Sequence, residues 1–287
     1  MNAPFEAATK NISYEEVGKR KLKISIEGII GCGKSRLMDY LAKEKDVQLI
    51  QEPVEEWKNW HGKNILKEFY NKPKEYCFLF QNAALQSATR AVLEKTNATV
   101  RITERSPHSA HLFATKLRKE RVLSSLEYIA LTKWYHLLCE KLDLKLDLIV
   151  YIKTLPEMAC ARTKRRNRYE ERNLTMKDHQ KLSILHDWWL MGENFDKSEL
   201  EKMEWTNQED DALSFEETGE KSKLTLASNN ILKDHMKYKG AVLVLDGNKE
   251  GDDMVKEYEK LVEWINDWKK SIEMIKSYRN KMEYVFK

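Results

Sequence analysis

Apolar residues follow two patterns that alternate along this chain. Short apolar or alternating runs, typical of β-strands, occupy residues 23–27, 47–51, 99–103, 146–153 and 241–245. Between these runs, apolar residues recur three or four positions apart, as they do in residues 34–45, which is typical of helices. Because strands that alternate with helices form parallel sheets covered by helices, the pattern predicts an α/β fold with a five-stranded parallel sheet.

The remaining segments complete the predicted organisation. Helical segments are predicted at residues 62–95, 108–142 (as two helices), 156–166, 173–190 and 252–283. Residues 1–20 are polar and without pattern, which predicts a flexible N-terminal arm, and residues 21–287 are predicted to form one domain. Residues 191–240 are rich in Glu, Lys, Ser and Asn and are interpreted as a charged insertion in that domain.

A phosphate-binding loop is predicted at residues 26–35, which read IEGIIGCGKS. The loop follows a predicted strand and begins a predicted helix, a context that disfavours a chance match. Its backbone N–H groups and the helix N-terminus would attract phosphate oxygens, Lys34 would reach the terminal phosphates, and Ser35 would hold Mg²⁺. The residues predicted to contact the nucleotide are Gly28, Ile29, Ile30, Gly31, Cys32, Gly33, Lys34 and Ser35. The motif predicts nucleotide binding and leaves the reaction open.

Two further predicted strands end in charged residues at the same edge of the sheet. Glu52 follows the second strand, where a carboxylate could accept the proton of an attacking hydroxyl, and Trp57 could flank a sugar or base. Glu104 and Arg105 end the third strand, where Glu104 could support Mg²⁺ and Arg105 could hold a phosphate or Glu52. Taken singly, each could belong to a solvated turn, the core or a surface ion pair. Their common position beside the phosphate loop favours a functional site.

Five basic residues crowd into seven positions after the fourth strand. They are Arg162, Lys164, Arg165, Arg166 and Arg168. Such a run is usually a solvated helix face, but arginines on a closing lid also stabilise a phosphoryl group during transfer. Nucleic-acid contact is a weaker interpretation, because 50 basic and 46 acidic residues leave a net charge of only +4.

Composition excludes several other classes of protein. None of the four cysteines forms a C-x-x-C pair, so neither a zinc site nor a disulfide framework is indicated, and reduced thiols suggest an intracellular protein. The longest apolar runs are five residues, far short of a membrane span. Glu6, Glu15 and Glu16 disfavour a secretory signal and weaken a mitochondrial one. The predicted location is therefore cytoplasmic, with a mitochondrial location as the alternative.

The segments EGIIGCGKS, EPVEEW, YNKP, Phe80-Gln81, ERSPHSA and RRNRYEE, in this order, resemble the deoxynucleoside kinase family. The resemblance runs from about residue 22 to about residue 190 and resumes at residues 241–247. The insect multisubstrate and mitochondrial thymidine kinase members look most similar, since the third strand ends in Glu-Arg-Ser. The resemblance implies a P-loop kinase fold with an arginine-rich lid, ATP and Mg²⁺ as cofactors, a deoxyribonucleoside substrate and a homodimer formed through helices.

The resemblance also implies a role for each residue that matches a motif of the family. Glu52 would be the general base for the nucleoside 5′-hydroxyl, with Arg105 beside it. Arg162, Arg166 and Arg168 would be the arginines of the lid, and Asp246 would lie near the loop at the donor's base. The acceptor's base would contact Trp57, Phe80 and Gln81, and its sugar would contact Tyr70 and Glu171.

The predicted base pocket departs from the family pattern at three alanines. Ala84, Ala88 and Ala110 line it, whereas the deoxycytidine and deoxyguanosine enzymes are expected to carry an Arg and an Asp at the last two positions. Their base preference is therefore disfavoured, and Ala88 should leave extra room. The family's base-stacking ring aligns with Ala114, but a shift of one residue would let Phe113 supply that ring.

These features predict ATP- and Mg²⁺-dependent phosphorylation of deoxyribonucleosides in nucleotide salvage, with thymidine first among pyrimidines and broad tolerance. A nucleoside monophosphate kinase is the nearest alternative, because it shares the fold and the loop. It would need basic residues for the acceptor's phosphate, such as Arg105, whereas Glu52 and Tyr70 suit a neutral sugar hydroxyl. A non-catalytic interaction protein is a further alternative, disfavoured by the complete set of catalytic residue types.

Overall fold

The computed structural model describes residues 21–191, 195–196, 198–199 and 240–285. The predicted N-terminal arm and most of the predicted insertion at residues 191–240 lie outside the described residues. The extents of the helices and strands below therefore refer to this part of the chain.

Five parallel strands form one sheet in the order β2-β3-β1-β4-β5. They are β1 (Leu22–Glu27), β2 (Val47–Ile50), β3 (Val100–Glu104), β4 (Leu148–Lys153) and β5 (Ala241–Asp246). In the register of the sheet, Ile26 of β1 lies opposite Glu104 of β3 and Val150 of β4. The predicted five-stranded parallel sheet is confirmed, and the carboxyl ends of all five strands lie along one edge.

Helices connect and cover the strands. They are α1 (Lys34–Leu41), α2 (Val54–Lys58), α3 (Ile65–Asn71), α4 (Pro73–Leu93), α5 (Pro107–Lys119), α6 (Ser125–Lys141), α7 (Pro156–Arg166), α8 (Met176–Leu190) and α9 (Gly251–Val285), with a 3₁₀ helix at Tyr169–Asn173. Among these described helices, none combines the length and apolarity needed to cross a bilayer.

Two local features differ from the sequence pattern. The short helix α2 is not predicted by apolar spacing, but Glu55 and Glu56 in its first turn favour a helix N-terminus electrostatically. The single helical segment predicted over residues 62–95 is divided into α3 and α4 at Lys72, whose φ of −134° lies outside the helical region. Pro73 explains the division, because proline disfavours helical geometry in the preceding residue.

Both faces of the sheet are covered, which explains the apolar run in β4. On one face, Trp264 and Trp268 of α9 pack in the main core cluster with β1, β4 and α1. On the other face, Tyr151 of β4 packs with Leu112 of α5 and Trp188 of α8. The carboxyl edge of the sheet is therefore anchored from both sides, and it carries the residues of the candidate site.

Candidate active site

The glycine loop between β1 and α1 has a backbone that only glycine adopts easily. Gly28, Gly31 and Gly33 have φ values of 144°, 82° and 108°. A Cβ at Gly28 would lie 2.7 Å from Sγ of Cys32, and one at Gly31 would lie 2.3 Å from the carbonyl oxygen of Ala159 on α7. The loop is thus held against the sheet and against α7, with the N-terminus of α1 behind it.

Lys34 and Ser35 begin α1 at the mouth of this loop. The buried Lys34 donates from Nζ to the carbonyl oxygens of Gly28 at 3.4 Å and Ile29 at 3.2 Å. Oγ of Ser35 lies 3.3 Å and 3.4 Å from the two carboxylate oxygens of Glu104, at the end of β3. A hydroxyl beside a carboxylate is a set of hard oxygen ligands that suits Mg²⁺.

Glu52 and Arg105 form an ion pair between the ends of β2 and β3. Nε of Arg105 lies 3.0 Å from Oε1 of Glu52. The backbone of Arg105 is in the left-handed region, with a φ of 69°, and its N–H donates to the carbonyl oxygen of Ile26 at 3.0 Å. That conformation costs about 1–2 kcal/mol in a residue with a Cβ, so the surrounding contacts hold it in place.

The electrostatic surroundings of Glu52 make it a stronger base than an ordinary carboxylate. Burial raises the pKa of Glu52 above its usual 4.5, and the negative charge of Glu104 raises this pKa further. The positive charges of Arg105, Lys34 and Arg168 act in the opposite direction. A carboxylate whose pKa moves toward neutral pH accepts a proton from a hydroxyl more readily.

A further carboxylate, that of the fully buried Glu27, lies close enough to Arg105 for their charges to interact. Oε1 of Glu27 accepts hydrogen bonds from Oγ of Ser25 and Oγ of Ser106, both at 2.6 Å. Burial raises the pKa of Glu27, and the charge of Arg105 partly opposes the shift. Glu27 was not predicted as a site residue. Its one signal in the sequence is its position at the end of β1, directly before the glycine loop, because it shares the polar phase of that strand with Lys23 and Ser25.

An apolar pocket opens beside Glu52, with a cavity volume of about 100 Å³. Trp57 meets Phe80 edge-to-face, with ring centroids 5.2 Å apart. Gln81 is 3% exposed, and its Oε1 has no hydrogen-bond partner among the described residues. Because a buried acceptor without a partner is costly, Gln81 is suited to a ligand that brings a donor.

One face of α4 supplies small side chains to this pocket. Ala84, Ser87, Ala88 and Ala91 all line it, at a spacing that places them on one helical face, and Ala110 of α5 joins them. Three of these residues are the predicted alanines.

The aromatic ring in the pocket comes from Phe113. Its ring lines the pocket, and Cζ of Arg105 lies 4.6 Å from the ring centroid. Ala114 instead packs in a core cluster with Cys77 and Tyr128. Consecutive residues on a helix point about 100° apart, so Phe113 and Ala114 cannot both face the pocket.

The three predicted lid arginines separate into two groups. Nη2 of Arg166 lies 2.5 Å from Oε2 of Glu171, and Nη1 of Arg168 lies 2.6 Å from Oε1 of the same carboxylate. Arg162 does not contact Glu171; its Nη1 donates to the carbonyl oxygen of Gly247 at 2.7 Å. Arg166 and Arg168 therefore line the cleft with Glu52, whereas Arg162 faces the loop after β5.

Tyr70 of α3 lines the apolar pocket, close to two carboxylates of this site. Burial raises the pKa of Tyr70, and the nearby charges of Glu171 and Glu52 raise it further. The phenol therefore stays protonated and can donate a hydrogen bond.

A wider, charged cleft of about 460 Å³ adjoins the apolar pocket. Lys34, Ser35 and Arg166 line only the cleft, whereas Glu52 and Arg105 line both cavities. Asp246, predicted to lie near the donor's base, ends β5 outside the lining of these two cavities. Its carboxylate accepts from the N–H and the side-chain amide of Asn248, at 3.0 Å and 2.9 Å.

Comparison with known proteins adds a family and several relatives. A family model described as deoxynucleoside kinase matches residues 24–273. The mitochondrial thymidine kinase 2 of Homo sapiens is 29% identical over 178 residues, which cover 62% of this chain and 67% of that protein. Deoxycytidine kinase 2 of Gallus gallus is 31% identical over 222 residues, covering 66% and 83%. A probable deoxycytidine kinase of fowlpox virus is 32% identical over 188 residues, covering 64% and 77%.

Proposed function

The chain belongs to the deoxynucleoside kinase family, and we propose that it transfers a phosphoryl group from ATP to the 5′-hydroxyl of a deoxyribonucleoside. The observation that carries this proposal is the Glu52–Arg105 pair at the junction of two unlike cavities. One cavity is charged and begins at a phosphate-binding loop, and the other is apolar and ends at an unpaired amide oxygen. A base at this junction can serve an acceptor held in one cavity and a donor held in the other.

The glycine loop, Lys34 and Ser35 would hold the donor. The loop N–H groups and the N-terminus of α1 supply positive potential for phosphate oxygens, and Lys34 adds a full charge. Ser35 and Glu104 would hold Mg²⁺, which neutralises phosphate charge when it is bound. Arg166 and Arg168, which now pair with Glu171, would stabilise the phosphoryl group during transfer once Glu171 also binds the acceptor.

Glu52 would accept the proton of the 5′-hydroxyl, and Arg105 would orient the carboxylate. Arg105 suits this task because its backbone is held by β1 and its guanidinium lies over Phe113. Tyr70 and Glu171 would bind the sugar 3′-hydroxyl, one as donor and the other as acceptor.

Gln81 and the alanine-lined pocket would select the base. We propose a preference for thymidine, because Ala88 and Ala110 stand where the deoxycytidine and deoxyguanosine enzymes are expected to carry an Arg and an Asp. The amide of Gln81 offers an acceptor for N3–H and a donor for O4 of thymine, but it pairs with cytosine when turned over and does not set the preference by itself. Ala88, Ala91 and Ala110 are among the described residues that line this pocket. Small, apolar surroundings should also admit other bases, at lower catalytic efficiency.

The test is phosphorylation of thymidine, deoxycytidine, deoxyadenosine, deoxyguanosine and thymidylate by the purified protein with ATP and Mg²⁺. We expect all four nucleosides to react, thymidine with the highest kcat/KM, and thymidylate to be inert. Turnover of thymidylate alone would identify a nucleoside monophosphate kinase. An ATP-binding protein that phosphorylates none of the five would support a non-catalytic interaction protein.

We also propose a homodimer formed through α4 and α6. These two helices pack together, and α6 leaves Leu126, Trp134 and Leu137 exposed, at a spacing that places them on one side of the helix. Leu79 of α4 is exposed as well. Sedimentation should give a dimer for the unmodified protein and a monomer for Trp134→Lys. A monomeric unmodified protein at micromolar concentration would contradict this arrangement.

A further inference from the structure

Glu257 of α9 is a buried carboxylate outside the machinery described above. It is 1% exposed, and its Oε2 accepts a hydrogen bond from the backbone N–H of Asp246 at 3.0 Å. Nζ of Lys249 donates to Oε1, and Nζ of Lys260 lies 2.8 Å from both oxygens. Two cations and one amide therefore meet at a single side chain, and two of these donors come from the last residue of β5, Asp246, and from Lys249 in the loop that follows it.

Burial opposes the ionisation of Glu257, but the hydrogen bonds from Lys249 and Lys260 and the N–H of Asp246 outweigh it. Together they hold the pKa of Glu257 at about 2. The carboxylate is therefore charged at any pH at which the protein would work. A permanent buried charge of this kind fixes the positions of the donors around it.

The loop at residues 246–250 is fixed on its other side by β4 and α7. The N–H of Gly247 donates to the carbonyl oxygen of Lys153 at 2.8 Å, and Oδ1 of Asn248 accepts from the N–H of Leu155 at 2.8 Å. A Cβ at Gly247 would lie 2.0 Å from Oγ1 of Thr154. The loop is therefore seated tightly against the segment that leads into α7.

This loop in turn holds Arg162. Nη1 of Arg162 donates to the carbonyl oxygen of Gly247 at 2.7 Å, and Nη2 lies 3.6 Å from Oε1 of Glu250. The helix that carries Arg162 contacts the glycine loop directly, since a Cβ at Gly31 would lie 2.4 Å from Oγ1 of Thr163. Arg162 thus lies on the helix beside the donor site, with its guanidinium held by residues 246–250.

We propose that Glu257 is a positioning residue for the donor site. It acts through the 246–250 loop to hold Arg162, which lies outside the lining of the cleft, where ATP that extends from the glycine loop would reach it. The inference rests on the proposed function in one respect, namely that ATP binds at the glycine loop. Glu257 itself contacts no reacting group. It sets ATP affinity and has no direct effect on the acceptor or on proton transfer.

The test is a titration of the protein with ATP and Mg²⁺ by calorimetry, without an acceptor, for Glu257→Gln and the matched control Glu259→Gln. Glu259 lies two residues away on α9 and is exposed. We expect the Kd for ATP to rise about tenfold in Glu257→Gln, the size typical of losing one hydrogen bond to a charged group, and to stay unchanged in Glu259→Gln. The KM for the deoxynucleoside and kcat at saturating ATP should remain close to those of the unmodified protein.

A double-mutant cycle with Arg162→Gln separates positioning from simple stabilisation of α9. If Glu257 acts through Arg162, the double variant should bind ATP as Arg162→Gln does, because the two effects are not additive. Additive effects, or an unchanged Kd in Glu257→Gln with only a lower unfolding temperature, would overturn the proposal. If Glu257→Gln does not fold, Lys249→Gln replaces it, because Lys249 is an exposed partner of the same carboxylate. This variant should raise the Kd for ATP about threefold. An unchanged Kd in Lys249→Gln would also overturn the proposal.

Failure of this inference can be told apart from failure of the proposed function. A protein that binds ATP but phosphorylates no deoxyribonucleoside would refute the proposed function, while the ATP affinities of the variants would still decide the role of Glu257. An unmodified protein that binds no ATP would refute both.

Discussion

The charged cleft and the apolar pocket are built on opposite principles, although they share Glu52 and Arg105. The cleft, of about 460 Å³, is lined by Lys34, Ser35 and by arginines that include Arg166 at the end of α7 and Arg168 just before the 3₁₀ helix. The pocket, of about 100 Å³, is lined mainly by aromatic and small apolar side chains around Gln81. Charge attracts phosphate over several ångströms and tolerates small misfits, whereas a packed apolar wall discriminates by contact.

This difference implies that three properties of the protein can be changed separately. Donor affinity should depend on charges around the cleft, and choice of acceptor should depend on the shape of the pocket. The rate of transfer should depend on the shared pair of Glu52 and Arg105. Variants placed in each region test whether the separation is real.

The largest effect is expected at the shared residue, in Glu52→Gln. The amide keeps the size of the carboxylate but accepts no proton, so kcat should fall about 10²- to 10⁴-fold, the range for loss of a general base. Calorimetric titration should give the same ATP affinity as in the unmodified protein. The control is Glu75→Gln, an exposed residue in the first turn of α4, which should keep full activity.

The dependence of rate on pH gives a second measure of the same residue. Because burial raises the pKa of Glu52, the base is lost as pH falls through a value higher than the usual 4.5. In the unmodified protein, kcat/KM for the nucleoside should therefore decline on the acidic side of neutral, and this decline should vanish in Glu52→Gln. A near-normal rate in Glu52→Gln would refute its assignment as the base.

The next largest effect is expected in the cleft, in Lys34→Met. Removing the buried cation at the glycine loop should raise the Kd for ATP about a hundredfold, as expected for a hydrogen bond to a charged group in a site shielded from water. The Kd for thymidine should stay the same, and Lys43→Met, which alters an exposed lysine, should change neither. Equal weakening of both ligands would show that the two cavities are not separable.

The corresponding variant in the apolar pocket is Gln81→Leu, which should weaken the binding of the acceptor and leave that of ATP unaffected. The change removes the amide whose oxygen has no hydrogen-bond partner among the described residues, so thymidine should lose its hydrogen-bonding partner and its KM should rise about thirtyfold. The KM for ATP should not change. Gln86→Leu is the matched control, because Gln86 lies on the exposed face of the same helix. If Gln86→Leu raises the KM for thymidine as much, the effect comes from α4 and not from base contact.

Local patterns were sufficient to predict the sheet and the glycine loop. A buried parallel strand such as β4 requires apolar residues at nearly every position, and this requirement is visible in the sequence. The carboxyl ends of parallel strands must share an edge, so Glu52 and Glu104 could be placed near the loop without coordinates. The break between α3 and α4 could have been predicted from Pro73.

Features that depend on how elements dock could not be read in the same way. Helical spacing places Glu257 on the apolar face of α9, three residues after Met254, and Glu259 on the exposed face. What the spacing does not show is that the carboxylate of Glu257 is held there as an ion by two lysines and a backbone N–H. Its burial depends on the 246–250 loop, which folds back over α9. Likewise, whether Phe113 or Ala114 faces the base pocket depends on the rotation of α5 about its axis, which tertiary packing sets.

The smallest effect is expected from filling the pocket, in Ala88→Met. The longer side chain would take up much of a cavity of about 100 Å³, in which a large base needs room. We expect kcat/KM for the purine deoxynucleosides to fall about five- to tenfold relative to that for thymidine, in line with the modest energies of apolar fit. Gln86→Met adds the same side chain on the exposed face of α4 and should leave the ranking unchanged. Because only the shape of the pocket is altered, ATP affinity should stay constant. An equal loss of kcat/KM for every acceptor would indicate that α4 had moved, and would contradict selection by the volume of the pocket.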